Sequence, residues 1–208
     1  MSRSMPDWDS YAKSTSSAII RAHYFFSVWR NYLLLLHGLN IPQGTLLEIG
    51  SSTGQNSLRL TKKYNLQPTL VDSSKIALFF AKQLFLQSGI HPRLIHQDVL
   101  SLSLEERFDF VHSHGLLEHF KGPEQRLAFK VHVNHLSPNG WFICWVPTPD
   151  LPYRLNRWYL ERTNRWIFGY EEPLRFSKFN ELFKNERLII RKVRHFPGWL
   201  GVAAQQSA

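Results

Sequence analysis

The run Thr45-Leu46-Leu47-Glu48-Ile49, followed by Gly50-Ser51-Ser52-Thr53-Gly54, constrains the fold more than any other part of the chain. Its first five residues read as a buried strand that runs into a glycine-bounded turn. Gln55 to Tyr64 then reads as a helix, and Pro68-Thr69-Leu70-Val71-Asp72 as a second apolar strand. Further apolar runs follow at Arg93–Gln97, Phe108–Ser113 and Gly140–Val146. Strands that alternate with helical stretches over 44–146 predict βαβ units and an α/β fold. In such a unit the loop N–H groups and the helix N-terminus point into one crevice, and glycine lets a ligand approach the backbone.

Four ligand chemistries compete for this loop. A nicotinamide fingerprint needs G-x-G-x-x-G, but Ser52 and Gln55 stand at the second and third glycines. A phosphate-cradling loop needs a closing Gly-Lys-Ser/Thr, which is missing. The nucleophile elbow G-x-S-x-G matches literally as Gly50, Ser52 and Gly54. Its usual preceding strands and oxyanion loop do not fit into the polar-to-helical residues before Thr45. The fourth pattern is the E-x-G-x-G-x-G loop of S-adenosylmethionine (SAM) enzymes, with Glu48 at its start and Ser52 for the middle glycine. Asp72 favours this last reading. It lies 22 residues after Gly50 at a strand end, where a carboxylate can accept hydrogen bonds from both ribose hydroxyls of an adenosyl group.

With these five segments in order, the chain resembles the class I SAM-dependent methyltransferases, and within them the quinone-biosynthesis and other small-molecule branch. The matching segments are the glycine loop, Val71-Asp72, Gln97-Asp98-Val99, Phe108-Asp109-Phe110 through Leu117-Glu118-His119, and Leu136-Ser137-Pro138-Asn139-Gly140. The resemblance implies a Rossmann-like, doubly wound, seven-stranded sheet, mostly parallel with an antiparallel last strand and helices on both faces. It implies SAM as cofactor and S-adenosylhomocysteine (SAH) as product. It also implies that Gly50 and Gly54 admit the methionyl part, with Ser52 adding a hydroxyl there, and that Glu48 holds the methionyl amino group. Asp72 and Ser73 would then lie at the ribose, Asp98 and Val99 at the adenine, and His114 beside the methyl donor. His119 is the candidate general base, since a neutral imidazole accepts a proton at physiological pH; its other reading is a histidine that packs the following helix. His112, His114 and His119 are spaced poorly for a metal, so no metal is expected.

At 208 residues the chain suits a single domain. Its expected parts are an N-terminal helical lid or cap (1–43), a cofactor-binding core (44–146) and a substrate-facing insertion with the last strands (147–208). Residues 1–13 read as irregular and 14–39 as one helix. Tyr153–Tyr170 reads as a helical insertion, and Ser177–Asn185 as the last core helix, capped by Ser177. No apolar run is long enough to span a membrane. The N-terminus lacks the apolar core of a signal peptide, and the single cysteine, Cys144, forms no internal disulfide. A cytoplasmic protein is the expectation.

The formal charge of +9 is unevenly placed. Residues 151–208 carry eleven Lys+Arg against five Asp+Glu, whereas 44–150 carry ten against nine. Arg154, Arg157, Trp158 and Tyr170 stand among interleaved arginines and aromatics. They are the candidate acceptor contacts and suit a small, anionic or lipid-like molecule. Two alternatives remain at this stage. An RNA methyltransferase would use the same basic surface, and a non-catalytic partner subunit would keep the fold without the activity. The sequence leaves the acceptor atom and the oligomeric state open.

Overall fold

The structure, a computed structural model, describes residues 7–15, 28–184 and 186–206. Its strands are β1 (Gly44–Ile49), β2 (Leu66–Asp72), β3 (Arg93–His96), β4 (Phe108–His114), β5 (Leu136–Pro147), β6 (Leu188–Phe196) and β7 (Trp199–Gln206). They form one sheet in the order β3-β2-β1-β4-β5-β7-β6. Neighbours from β3 to β5 pair in parallel. β7 runs antiparallel to both β5 and β6. This is the Rossmann-like sheet that the sequence predicts.

The helices are α1 (Trp8–Thr15), α2 (Trp29–Leu36), α3 (Gln55–Tyr64), α4 (Lys75–Leu86), α5 (Gly122–Asn134), α6 (Leu151–Arg162) and α7 (Phe176–Glu181). Alternation along the central strands sends Leu47, Val111, Phe142 and Cys144 to one face, where Phe129 of α5 and Phe179 of α7 join them in one buried cluster. Leu46, Phe110, Ile143 and Trp145 cluster instead with Tyr32 and Leu35 of α2 and Leu60 of α3. Leu70 packs with Leu58 of α3 and with Ala81 and Phe85 of α4. Covering both faces is why these strands read as near-continuous apolar runs. The chain lays β2 and β3 on one side of β1, then returns to place β4 on the other. A crevice opens at such a switch point, beyond the carboxyl ends of β1 and β4. Among the described residues, no helix is long and apolar enough to cross a membrane.

Several boundaries differ from the sequence reading. Residues 8–15, within and just past the segment read as irregular, form α1, because the Asp7 carboxylate accepts the Ser10 N–H at 2.9 Å and caps the helix. Of the single helix expected over 14–39, the structure shows a helical end at Thr15 and a second helix, α2, while 16–27 lie outside the described residues. β5 starts at Leu136 rather than Gly140, and Asn139 at φ +63° accompanies a register shift against β4. The insertion is helical only to Arg162, and Asn164 at φ +52° follows directly. Ser177 lies inside α7, whose N-cap is Arg175 with no side-chain cap.

Candidate active site

The glycine loop is tied to β2 by its own backbone. Gly50 and Ser51 donate their N–H groups to the Val71 carbonyl at 2.9 and 3.0 Å. Gly50 sits at φ +70°, and a Cβ there would fall 3.0 Å from Leu116. Ser52 holds a left-handed φ of +47°, a conformation that costs a non-glycine residue about 1–3 kcal/mol. Its N–H donates to Asp72 Oδ2 at 2.7 Å, while the Ser74 N–H donates to Asp72 Oδ1 at 2.8 Å. One carboxylate therefore fastens both the loop after β1 and the turn after β2. Gly54 is placed at the underside of the loop. It does not line the cavity; a Cβ on it would press to 3.0 Å on Leu70 and Phe85 beneath the loop.

The loop opens onto a cavity of about 630 Å³. Glu48, Gly50, Ser52, Asp72, Ser73, Asp98, Val99, His114 and His119 all line it, so the structure gathers those predicted residues in one place. Glu48 is 2% exposed and its Oε2 has no hydrogen-bond partner. Burial pushes its pKa from the ordinary 4.5 to about 8, against a lowering from Ser57 and with a further rise from Asp72. Burial also raises Asp72, against the two backbone N–H bonds that lower it. Asp98 caps the 3₁₀ turn Val99–Ser101, accepting the Leu100 N–H at 2.8 Å, and Val99 is buried. Burial lowers His114 to about 3, and its ring lies 4.6 Å from that of Trp199. His112 is not on the wall: its Nε2 meets Ser57 Oγ at 2.9 Å.

His119 occupies the 3₁₀ turn Leu117–His119. Its Nδ1 lies 2.9 Å from the Tyr170 carbonyl, which fixes that nitrogen as the N–H donor and leaves Nε2 as an acceptor. Nε2 faces Glu118 Oε1 and Glu171 Oε2, each at 3.9 Å. Burial holds His119 down at about 4, partly offset by the Tyr170 bond, so the ring is neutral at pH 7. Glu118 is pushed well above the usual carboxylate range by burial and by Glu171, and Glu171 is raised by burial. Tyr153 donates its O–H to Glu171 Oε1 at 2.7 Å, and Arg157 donates to the Glu171 carbonyl at 2.8 Å. The Trp8 ring closes over His119 at 4.8 Å, edge to face.

Glu171 is the member that the sequence does not reveal, because it stands 52 positions from His119 and meets it only in the fold. The arginines of 153–170 take other places. No Lys or Arg is among the described residues lining the cavity, whereas Glu48, Asp72, Asp98, Glu118, Glu124 and Glu171 are. Arg157 engages Glu161, the Tyr153 hydroxyl and the Glu171 carbonyl from behind the wall. Arg154 is exposed, and Trp158 is 59% exposed on the outer side of α6. Of the candidate acceptor contacts, only Tyr170 lines the cavity. Among the described residues the three histidines of the sequence reading do not converge. The group that does gather metal-type atoms, within 4.8 Å, is Glu118, His119 and Glu171.

Residues 46–140 match the family model described as methyltransferase domain, from inside β1 through the glycine loop, the Asp72 strand end and the Leu117-Glu118-His119 turn. This stretch, a little under half of the chain, is similar to a methyltransferase domain. No curated protein matches the chain in sequence. Solved structures match its fold. A SAM-dependent methyltransferase from Clostridium acetobutylicum has a TM-score of 0.70 at 17% identity, covering 97% of this chain and 99% of that one. The N-methyltransferase NodS from Bradyrhizobium japonicum, solved with SAH, has 0.64 at 15%, covering 97% and 100%. An O-methyltransferase family protein from Burkholderia thailandensis has 0.73 at 12%, covering 97% of this chain and 60% of that one. At such identities the likeness carries the fold and leaves the acceptor open.

Proposed function

We propose that this enzyme methylates a small, uncharged or cationic acceptor held in the acidic cavity, with His119 taking the acceptor's proton. SAM supplies a methyl group on a sulfonium, so the protein's task is chiefly to hold the acceptor in line with it. The donor set suits this cofactor. The unpartnered Glu48 Oε2 is a ready acceptor for the methionyl ammonium. Asp72 has lone pairs left for the ribose after its two backbone bonds. Asp98 and Val99 line the same cavity, which supports their assignment to the adenine.

The observation that carries the acceptor reading is the carboxyl-rich wall, which among the described residues holds no lysine or arginine. With no cation among the described lining residues to pair it, an anionic acceptor would shed its water there without compensation, so this reading departs from the anionic molecule expected from the arginines. The aromatic side chains Trp8, Tyr11, Trp166, Phe168 and Tyr170 complete the wall and suit a flat or apolar body. The neutral His119 Nε2 is oriented as a base, and an imidazolium formed on it would lie between Glu118 and Glu171. Fold neighbours that include both an N-methyltransferase and an O-methyltransferase family protein fit a scaffold indifferent to the acceptor atom.

A screen of amines, phenols and carboxylic acids with methyl-labelled SAM tests the reading, with His119→Gln beside the parent. Turnover is expected with amines or phenols, and general-base loss is expected to lower kcat by about 10²–10⁴-fold while SAH binding is retained. Turnover confined to carboxylic acids, or an undiminished kcat in the variant, would contradict it.

A further inference from the structure

We propose that the outer face of α6 is a docking surface for anionic lipid bilayers. α6 has no fully buried residue. Leu151, Leu155, Trp158 and Tyr159 are 64%, 56%, 59% and 50% exposed. Their spacing of four, three and one residues puts all four on one helical stripe. The opposite face is the attached one: Tyr153 and Arg157 hold Glu171, and Tyr153 and Asn156 line the cavity. A helix that turns Tyr153 and Arg157 inward and Leu151, Leu155 and Trp158 outward presents apolar side chains where a water-facing helix carries polar ones.

Charge selects the occupant. Arg154 and Arg162 on α6 and Arg165 just past its end are exposed, and Arg162 continues the stripe, 5.8 Å from the Trp158 ring. Glu161 is the acid of this helix and is paired with Arg157. The basic excess of 151–208 therefore includes charges around an apolar strip, outside a cavity that has none of them. Leucine and tryptophan flanked by arginine match the interface of an anionic bilayer, where apolar side chains enter the acyl boundary and arginines meet phosphates. A second copy of this chain would bring the same arginines against each other. Nucleic acid would satisfy the arginines and leave Leu151 and Leu155 without apolar contacts. A docked α6 would put Pro152, exposed at the start of the helix and part of the cavity wall, beside the lipid surface, with Tyr153 and Asn156 on the far side of the helix.

The test is cosedimentation of the purified chain with vesicles of phosphatidylcholine alone and of equal parts phosphatidylcholine and phosphatidylglycerol, at low and high salt. It needs neither cofactor nor acceptor, so its outcome is separate from that of the methyl-transfer reading. Binding is expected to the anionic vesicles, to weaken with salt, and to fall about tenfold or more in Leu155→Ser/Trp158→Ser, whose two side chains carry apolar area into the boundary. Both sites are exposed, and the thermal midpoint of the double variant is expected to equal the parent's. Equal pelleting of parent and variant, or no preference for anionic lipid, would overturn the proposal. So would a parent that dimerises, or binds RNA, through the same two residues while ignoring vesicles.

Discussion

The sharpest consequence of the site concerns Glu48. The unfolded chain releases this proton near the ordinary 4.5, and the folded chain holds it to about 8. A carboxyl raised on folding binds more protons in the native state, so stability falls as pH rises from 4.5 toward 8 and levels off above. At about 1.4 kcal/mol per pH unit, the cost at pH 7 is on the order of 3 kcal/mol. Glu48→Gln keeps the size and removes the titration. It is expected to match the parent near pH 4.5 and to exceed it at pH 7 by about 2–3 kcal/mol, a midpoint rise of roughly 4–12 °C for a chain this long. The same change is expected to weaken SAH binding, because the methionyl ammonium calls for the ionised carboxylate. Binding at pH 7 then expels about nine-tenths of a proton in the parent and almost none in the variant. Titration calorimetry in buffers of different ionisation heat reads that number directly. A variant less stable than the parent at pH 7, or binding without proton release in the parent, would refute the reasoning.

Two further substitutions probe the loop. Asp72→Asn turns an N–H donor toward Ser52 or Ser74, and the loss of one charge-assisted bond is expected to cost about 1.5–3 kcal/mol in denaturant unfolding and to weaken SAH binding; unchanged stability would show that the carboxylate does not hold the loop. Gly54→Ala adds left-handed strain and presses on Leu70 and Phe85 at 3.0 Å, so a loss of about 2–4 kcal/mol is expected; a neutral result would mean that the packing under the loop relaxes.

Much of the cofactor half was readable because its chemistry lies in backbone turns and strand ends. Gly50, Asp72 and Asp98 stand at fixed places in an alternating β/α pattern, and α3 begins and ends where the sequence says. Gly54 shows the limit of that reading, since a glycine between a loop and a helix serves packing as readily as a ligand. The acceptor half depended on long-range contacts. Glu171 meets His119 across 52 positions of chain, through a hydroxyl on α6 and a backbone carbonyl, and no local spacing records such a meeting. The direction in which α6 faces was equally invisible: its arginines and aromatics read as a binding lining, and the helix turns most of them outward. α1 was missed although Asp7 and Ser10 carry a cap spacing, because its apolar residues are few.

Thermal unfolding with SAM, SAH and NAD tests the cofactor assignment most directly. A ligand at a hundred times its dissociation constant stabilises by about 2.7 kcal/mol, a rise of roughly 5–11 °C here. The account predicts that rise with SAM and SAH and none with NAD. No rise with either adenosyl ligand, or an equal one with NAD, would contradict it.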